Sequence, residues 1–153
     1  MNQQARVIWE ALEFRIPVIL EAVQPLGEDQ LHWQPPNGAN SAAWLLWHIA
    51  EVEDNWVRDK VYRLPRHYPF GMSVRDAAAS DYPSKEVLLD YFREVRALSR
   101  ERLETTTDED FDRSVDDEHF GPMDVRRVWV GVATSCAWHG GQLILLANRL
   151  IPR

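Results

Sequence analysis

The chain is poor in cysteine and in clustered basic residues, and each shortage excludes a class of protein. Cys136 is the only cysteine, so no internal disulfide can form, as is usual in a reducing cytoplasm. The longest basic cluster is the pair Arg126-Arg127 in a chain of net charge −7, so we expect no nucleic-acid partner. The same charge disfavours anionic membrane surfaces, and no apolar run approaches the ~20 residues that span a bilayer. These observations predict a cytoplasmic protein without nucleic-acid or membrane partners.

Strand patterns are also nearly absent from the 153 residues, whereas helical patterns recur. Apolar residues follow the spacing of one buried helical face over residues 3–23, 41–62, 84–103 and 125–149. The last three stretches have predicted N-terminal caps: Asn40 or Ser41, Ser84 and Asp124. Pro17 interrupts the first stretch and predicts a kink there, because proline removes a backbone donor. No repeat or linker divides the chain. Four helices without a sheet predict an all-α bundle in a single domain, residues 1–153.

Residues 66–83 form a long connection without a clean helical or strand period. A connection of this length inside a compact domain is usually functional or a crossover, and it permits two successive helices to run parallel. His67 lies within it and could reach over the mouth of the bundle. His32 and His119 lie in other loops, where we expect exposed side chains without a role in a site.

Two histidines lie on different predicted helices, His48 on the second and His139 on the fourth. Helices in a bundle pack ~8–10 Å apart, so two facing imidazoles could bind one metal ion. Helical spacing places Ser135 and Cys136 one turn before His139 on the same face. A catalytic metal site needs three protein ligands, and the third could come from a carboxylate or a thiol. The residues considered for it are Glu51, Glu53 and Cys136. Alternatively, both histidines are core residues that are hydrogen-bonded to a neighbour.

Several residues near the two histidines allow two interpretations. Gly140 and Gly141 either permit close approach of another group or are merely tolerated in a well-packed helix. The seven tryptophans indicate bulky core packing or the border of a pocket or interface. Gln142 is expected to have a structural role.

Three segments together resemble the DinB/YfiT-like superfamily. They are Trp44-Leu-Leu-Trp-His48-Ile-Ala-Glu-Val-Glu53-Asp-Asn-Trp56, Trp138-His139-Gly-Gly-Gln142 and the entry loop Leu31-His-Trp-Gln-Pro-Pro-Asn-Gly38. The resemblance implies a four-helix bundle with a long crossover between helices 2 and 3, often assembled as a dimer. It also implies a divalent metal bound by one histidine on the second helix and two residues four apart on the fourth. Characterised relatives include thiol-cofactor-dependent transferases and isomerases.

The resemblance assigns the metal ligands residue by residue. His48 matches the first ligand and His139 the last, whereas Ser135 occupies the position of the middle one. A neutral hydroxyl binds zinc or nickel poorly compared with imidazole or carboxylate, and Cys136, one position on, is a possible replacement.

Two functions therefore remain open, and whether the chain is an enzyme is undecided. The first is a divalent-metal-dependent enzyme (zinc, nickel or manganese), of hydrolase or thiol-cofactor-dependent transferase type, with an incomplete ligand set. The second is a metal-free module that binds a small molecule or dimerises. Either function is compatible with a homodimer and with a small-molecule or thiol ligand.

Overall fold

The N-terminal part of the bundle consists of two consecutive helices rather than one kinked helix. The computed structural model describes residues 1–36 and 38–152, so Asn37 of the predicted entry loop lies outside the described residues. Helix α1 spans Gln3–Glu13 and is capped by the Asn2 side chain, and α2 spans Ile16–Val23. The predicted kink at Pro17 is instead a break, with Pro17 in the first turn of α2. Proline is tolerated there because the first turn has no partner for its N–H.

The second long helix runs through the centre of the molecule. A short helix α3, Glu28–His32, precedes it, and α4 then spans Ala42–Trp56 and continues as a π-helical turn, Val57–Val61. Ser41 caps α4 by accepting a hydrogen bond from the Trp44 N–H at 3.1 Å. Nearly all residues of α4 are buried, as expected for a helix that is surrounded by others.

The predicted crossover is confirmed and leads to the third long helix. Its regular structure is a 3₁₀ turn at Ala79–Asp81, after which Ser84 caps helix α5, Lys85–Thr105. A short helix α6 follows at Asp108–Asp112.

The prediction that the chain has no sheet was wrong in one place. Strands β1, Ser114–Asp117, and β2, Gly121–Asp124, pair antiparallel in a small hairpin. The Asp117 carboxylate accepts the His119 and Phe120 N–H groups at 2.9 and 3.0 Å, which closes the turn. Only Val115 and Met123 are buried in these strands. Each strand thus has a single buried residue. An alternation of apolar and polar residues this short cannot be recognised as a strand in an acidic sequence.

The fourth long helix, α7, spans Val125–Leu145 and continues as a π-helical turn, Leu146–Leu150. Asp124 caps it, as predicted, by accepting the Arg127 N–H at 2.7 Å. Helix α7 packs against α1, α2 and α4, and α4 also packs against α5. The α1–α2 unit, α4, α5 and α7 therefore form the predicted all-α four-helix bundle with its crossover between the second and third long helices.

One helical segment is long and apolar enough, by length and composition alone, to cross a membrane. It is Val125–Leu150, with a mean hydropathy of 1.2 over its most apolar window, of which 28% is buried. The sequence shows no uninterrupted apolar run here, because the polar residues Thr134, Ser135, His139 and Gln142 are spread along the helix. One such helix is weak evidence for a membrane span, since a central helix of a soluble bundle has the same properties. The described residues form a globular domain around two clusters of buried hydrophobic residues.

Candidate functional site

An open cleft of about 500 Å³ lies between α4 and α7, with the crossover and the hairpin at its rim. This volume lies within the usual range of small-molecule sites. Its walls are predominantly apolar and contain no carboxylate. The lining residues are His48, Val52, Trp56, Arg75, Phe120, Met123, Arg127, Val130, Gly131, Thr134, Ser135, Trp138 and His139.

The cleft brings together the two histidines that were predicted from the sequence. The imidazoles of His48 and His139 meet edge to face, with ring centroids 4.6 Å apart and ring planes at 89°. Trp44 stacks on the His48 ring at 4.4 Å, and its edge faces His139 at 6.4 Å. The His139 Nδ1–H donates to Gln142 Oε1 at 3.2 Å, so Gln142 orients this imidazole from one turn further along α7. The two rings are therefore held in one geometry by helix spacing and aromatic packing.

His48 is uncharged at neutral pH. Its side chain is buried, and burial together with the proximity of His139 and Arg75 lowers its pKa from 6.5 to about 4. Its Nδ1 is buried and makes no hydrogen bond within residues 1–36 and 38–152. The sequence allowed the alternative that both histidines are core residues hydrogen-bonded to a neighbour. His139 agrees with it, because it is bonded to Gln142, whereas the Nδ1 of His48 does not. Four other buried side-chain atoms of the described residues also have no partner, namely Trp47 Nε1, Asp54 Oδ1, Tyr91 OH and Trp129 Nε1. Of these five residues, only His48 lines the cleft, where a ligand or water can supply the missing hydrogen bond.

Ser135 and Cys136, the two candidates for a third ligand, lie on different sides of α7. Ser135 lines the cleft with the imidazoles, whereas Cys136 is buried in the bundle core. Burial, followed by the charge of Glu53, raises the pKa of the Cys136 thiol to about 12, so it stays protonated. The separation follows from the 100° rotation between consecutive helical residues.

The carboxylates that were considered as third ligands have other partners. Glu51 accepts hydrogen bonds from Ser73 Oγ at 2.6 Å and from the Val74 N–H at 2.9 Å. Glu53 accepts two bonds from Arg96 Nη1, at 3.1 and 2.9 Å, in the core. In the part of the chain that the structure describes, no three His, Cys, Asp or Glu side chains form a group that could hold a metal ion. Two imidazoles and a hydroxyl do not fit a site that requires three good donors.

Most of the other cleft residues were not predicted from the sequence, and two of them, Arg75 and Arg127, are charged. Arg127 lies two helical turns before Ser135, so its place on the cleft face of α7 was accessible from the helical period. It was considered only as part of a basic pair. Arg75 comes from the crossover, which has no period from which its direction could be inferred.

The remaining histidines lie outside the cleft. His67 is anchored to α4, where its Nδ1–H donates to Asp54 Oδ2 at 3.0 Å and its backbone pairs with the Asn55 amide. His32 bonds the Pro83 carbonyl at 3.2 Å, and His119 is exposed in the hairpin turn. His67 therefore fastens the crossover and does not line the cleft.

Glycines on α7 allow close packing at two places. A Cβ at Gly131 would lie 2.9 Å from Trp56, so this glycine lets the indole lie against the helix at the wall of the cleft. A Cβ at Gly140 would lie 2.5 Å from Ile19 Cδ1, whereas one at Gly141 would meet open space. Close packing against Ile19 thus explains why position 140 is a glycine, whereas the open space at position 141 gives no such reason.

Comparison with known proteins identifies relatives of this fold. The family model of the DinB superfamily matches residues 11–143. The crystal structure of a conserved protein from Enterococcus faecalis has a TM-score of 0.74 and 19% identity, covering 97% of this chain and 96% of that one. YfiT from Bacillus subtilis, described as a probable metal-dependent hydrolase with an unusual four-helix bundle topology, has a TM-score of 0.73 and 17% identity, with coverages of 98% and 89%. A comparison with curated proteins gave no match. At such identities the structural likeness establishes the fold alone.

Proposed function

The chain belongs to the DinB superfamily, and we propose that it binds a small organic molecule in the cleft beside His48 and His139 without a tightly held metal ion. The observation that carries the proposal is Ser135, which occupies the cleft wall where a third metal ligand is required. The hydroxyl completes a ligand-binding surface well but completes a zinc or nickel site poorly.

The composition of the cleft supports a binding role. Its aromatic and aliphatic walls offer apolar contact to a ligand, and a few polar side chains lie among them. A neutral imidazole both donates and accepts hydrogen bonds, so His48 and His139 can orient a polar group of the ligand. The same pair offers a general base to a bound substrate, which leaves a metal-independent enzymatic role within this proposal.

A second candidate is a divalent-metal-dependent enzyme, of hydrolase or thiol-cofactor-dependent transferase type. Two observations favour it: the imidazoles of His48 and His139 are adjacent, and YfiT is described as a probable metal-dependent hydrolase. Imidazole suits zinc and nickel, and manganese is the third metal to test. If the protein is such an enzyme, the third metal ligand has to be a group other than His48 and His139.

Metal content distinguishes the two candidates. Protein purified without an affinity tag is supplemented with zinc, nickel or manganese, desalted and analysed for metal. We expect far less than one equivalent in the wild type and close to one equivalent in Ser135→His, which gives two imidazoles one helical turn apart on α7 and a third from His48 on α4. One equivalent in the wild type that is lost in His48→Ala and His139→Ala would establish the second candidate and contradict the first.

We also propose that the protein is a cytoplasmic homodimer without nucleic-acid or membrane partners. The net charge of −7 supports the absence of nucleic acid. Leu145 of α7 and Leu150 of the π-helical turn that follows are 55% and 52% exposed outside the cleft, and this apolar surface favours burial against a second copy. Sedimentation at low micromolar concentration tests the dimer, and a purely monomeric species would contradict it.

A further inference from the structure

We propose that the cleft recognises a small organic anion with an apolar body, and that Arg75 and Arg127 bind its anionic group. This inference rests on the proposed function, because it names the class of ligand for the same cleft. The anionic group is a carboxylate or a comparable oxyanion, which a guanidinium binds through two parallel hydrogen bonds.

The charge of the cleft is opposite to the charge of the protein. The chain carries a net charge of −7, yet the cleft walls hold two arginines and no aspartate or glutamate. Neither guanidinium forms an ion pair or a side-chain hydrogen bond with any residue in 1–36 or 38–152, whereas Arg66, Arg93, Arg96, Arg100 and Arg126 all pair with carboxylates. Other arginines among the described residues, such as Arg6 and Arg63, also form no ion pair with a carboxylate, but they do not line the cleft. Two unpaired cations in a carboxylate-free cleft attract an anion and concentrate it there.

Arg75 is held at the cleft by a buried carboxylate. Glu51 lies on α4 one turn beyond His48 and accepts bonds from Ser73 Oγ and the Val74 N–H, and Val74 is completely buried beside it. These contacts fasten the crossover immediately before Arg75, whose own N–H donates to Ser73 Oγ at 3.3 Å. Glu51 does not line the cleft. Its carboxylate is bonded to Ser73 and Val74 of the crossover and therefore does not face a bound ligand. Arg75 is therefore positioned by the fold, although its side chain is exposed.

Arg127 reaches the cleft from the first turn of α7. The Asp124 cap fixes this turn by accepting the Arg127 N–H. The neighbouring Arg126 is bonded to Gln4, Asp112 and Asp124, so only Arg127 of the basic pair remains available to a ligand among the described residues. The two arginines thus come from separate elements and meet at the same cleft.

The apolar body of the ligand fits the aromatic and aliphatic side chains that line the same cleft. Trp56 and Phe120 lie with ring centroids 5.8 Å apart, and Trp138 adds a third aromatic wall. Met123 and Val52 complete this surface. A flat aromatic or aliphatic group placed against these side chains lies in the same cleft as the two guanidinium groups that bind the anionic group.

A matched pair of fluorescent probes tests the inference. Anilinonaphthalene sulfonate and phenylnaphthylamine share one apolar ring system, and only the first is an anion. Binding of both is titrated on the full chain for the wild type, Arg75→Gln, Arg127→Gln and the control Arg93→Gln. The control also removes one positive charge, but from an exposed ion pair on α5 that does not line the cleft. We expect each cleft variant to weaken sulfonate binding by about tenfold, the effect of losing one charge-assisted contact. Phenylnaphthylamine should bind all four proteins alike, which also verifies their folding.

A cleft-filling variant, Ser135→Trp, locates the probes. If it abolishes binding of both probes but the arginine variants lose no more sulfonate affinity than Arg93→Gln, the anion inference is overturned and the binding function stands. If neither probe binds the wild type, or Ser135→Trp leaves binding unchanged, the proposed binding function fails and the anion inference fails with it.

Discussion

His48 and His139 meet edge to face across the interface between α4 and α7, with their ring centroids 4.6 Å apart. This contact joins residues that are 91 positions apart in the sequence. Trp44 covers one face of His48, and Ser135 lies in the wall beside the pair. The pair therefore has the surroundings of a polar ligand-binding point in an apolar cleft, and several consequences can be measured.

The buried His48 makes stability depend on pH. Its pKa is about 4 in the folded protein and 6.5 ordinarily, so between these values the unfolded chain binds a proton that the folded chain does not. The free energy of unfolding should therefore fall as the pH drops from 6.5 to 4, by up to about 3 kcal/mol. Urea unfolding across this range measures it. The fall should become smaller in His48→Gln and persist in the control His119→Gln, whose imidazole is exposed. Equal pH slopes in the wild type and His48→Gln would contradict the assignment.

The adjacent glycines of α7 should respond in opposite directions to alanine. In Gly140→Ala the new Cβ meets the buried Ile19 side chain, and overpacking of this kind costs about 1–3 kcal/mol. In Gly141→Ala the new methyl meets open space, so the higher helix propensity should stabilise by up to about 1 kcal/mol. Chemical denaturation of the two variants gives the comparison. Adding Ile19→Val to Gly140→Ala removes the clashing Cδ1 and should recover part of the loss; no recovery would refute the proposed contact.

The buried ion pair of Arg96 and Glu53 should be costly to break from one side. Glu53 is 1% exposed and Arg96 is 7% exposed, and Glu13 supplies a second carboxylate. Arg96→Leu leaves the Glu53 charge unpaired in the core and should destabilise by about 3–5 kcal/mol. The double variant Arg96→Leu/Glu53→Leu should lose less than Arg96→Leu alone. Arg100→Leu, which breaks the exposed pair with Glu104, should change the free energy of unfolding by less than about 1 kcal/mol.

The Cys136 thiol should be unreactive in the folded protein. It is buried, and its pKa is raised to about 12, so neither access nor the thiolate form favours reaction. Labelling with a chromogenic disulfide at neutral pH should proceed only as fast as the protein unfolds, and one thiol should react at once in urea. Rapid labelling of the native protein would show that Cys136 is open to the cleft and would revive it as a metal ligand.

Local signals in the sequence were sufficient for most of the fold. Ser41, Ser84 and Asp124 cap the helices that their positions predicted, because a cap is a contact within one helical turn. The break at Phe14 and Arg15 and the hairpin at residues 114–124 were not predicted. Each of these features involves only a few residues, too few to show the periodic spacing by which a helix or a strand is recognised.

The site was only partly accessible from the sequence. The family resemblance selected His48, His139 and Ser135, and the structure brings all three to one cleft. The side of α7 to which Cys136 belongs was ambiguous, because residues 100° apart both lie near a broad inward face. Arg75 was not predicted because its direction depends on bonds between Ser73, Val74 and the distant Glu51.

The sequence by itself therefore determined the helices, their caps, their buried faces and the hydroxyl at position 135, since each is a property of residues within a few positions of one another. Only the tertiary structure decided that the cleft holds two unpaired arginines, that Glu51 and Glu53 are committed elsewhere and that Cys136 faces the core. These features depend on which helices pack together and at what rotation, and that packing is settled by the burial of side chains that are remote in the sequence.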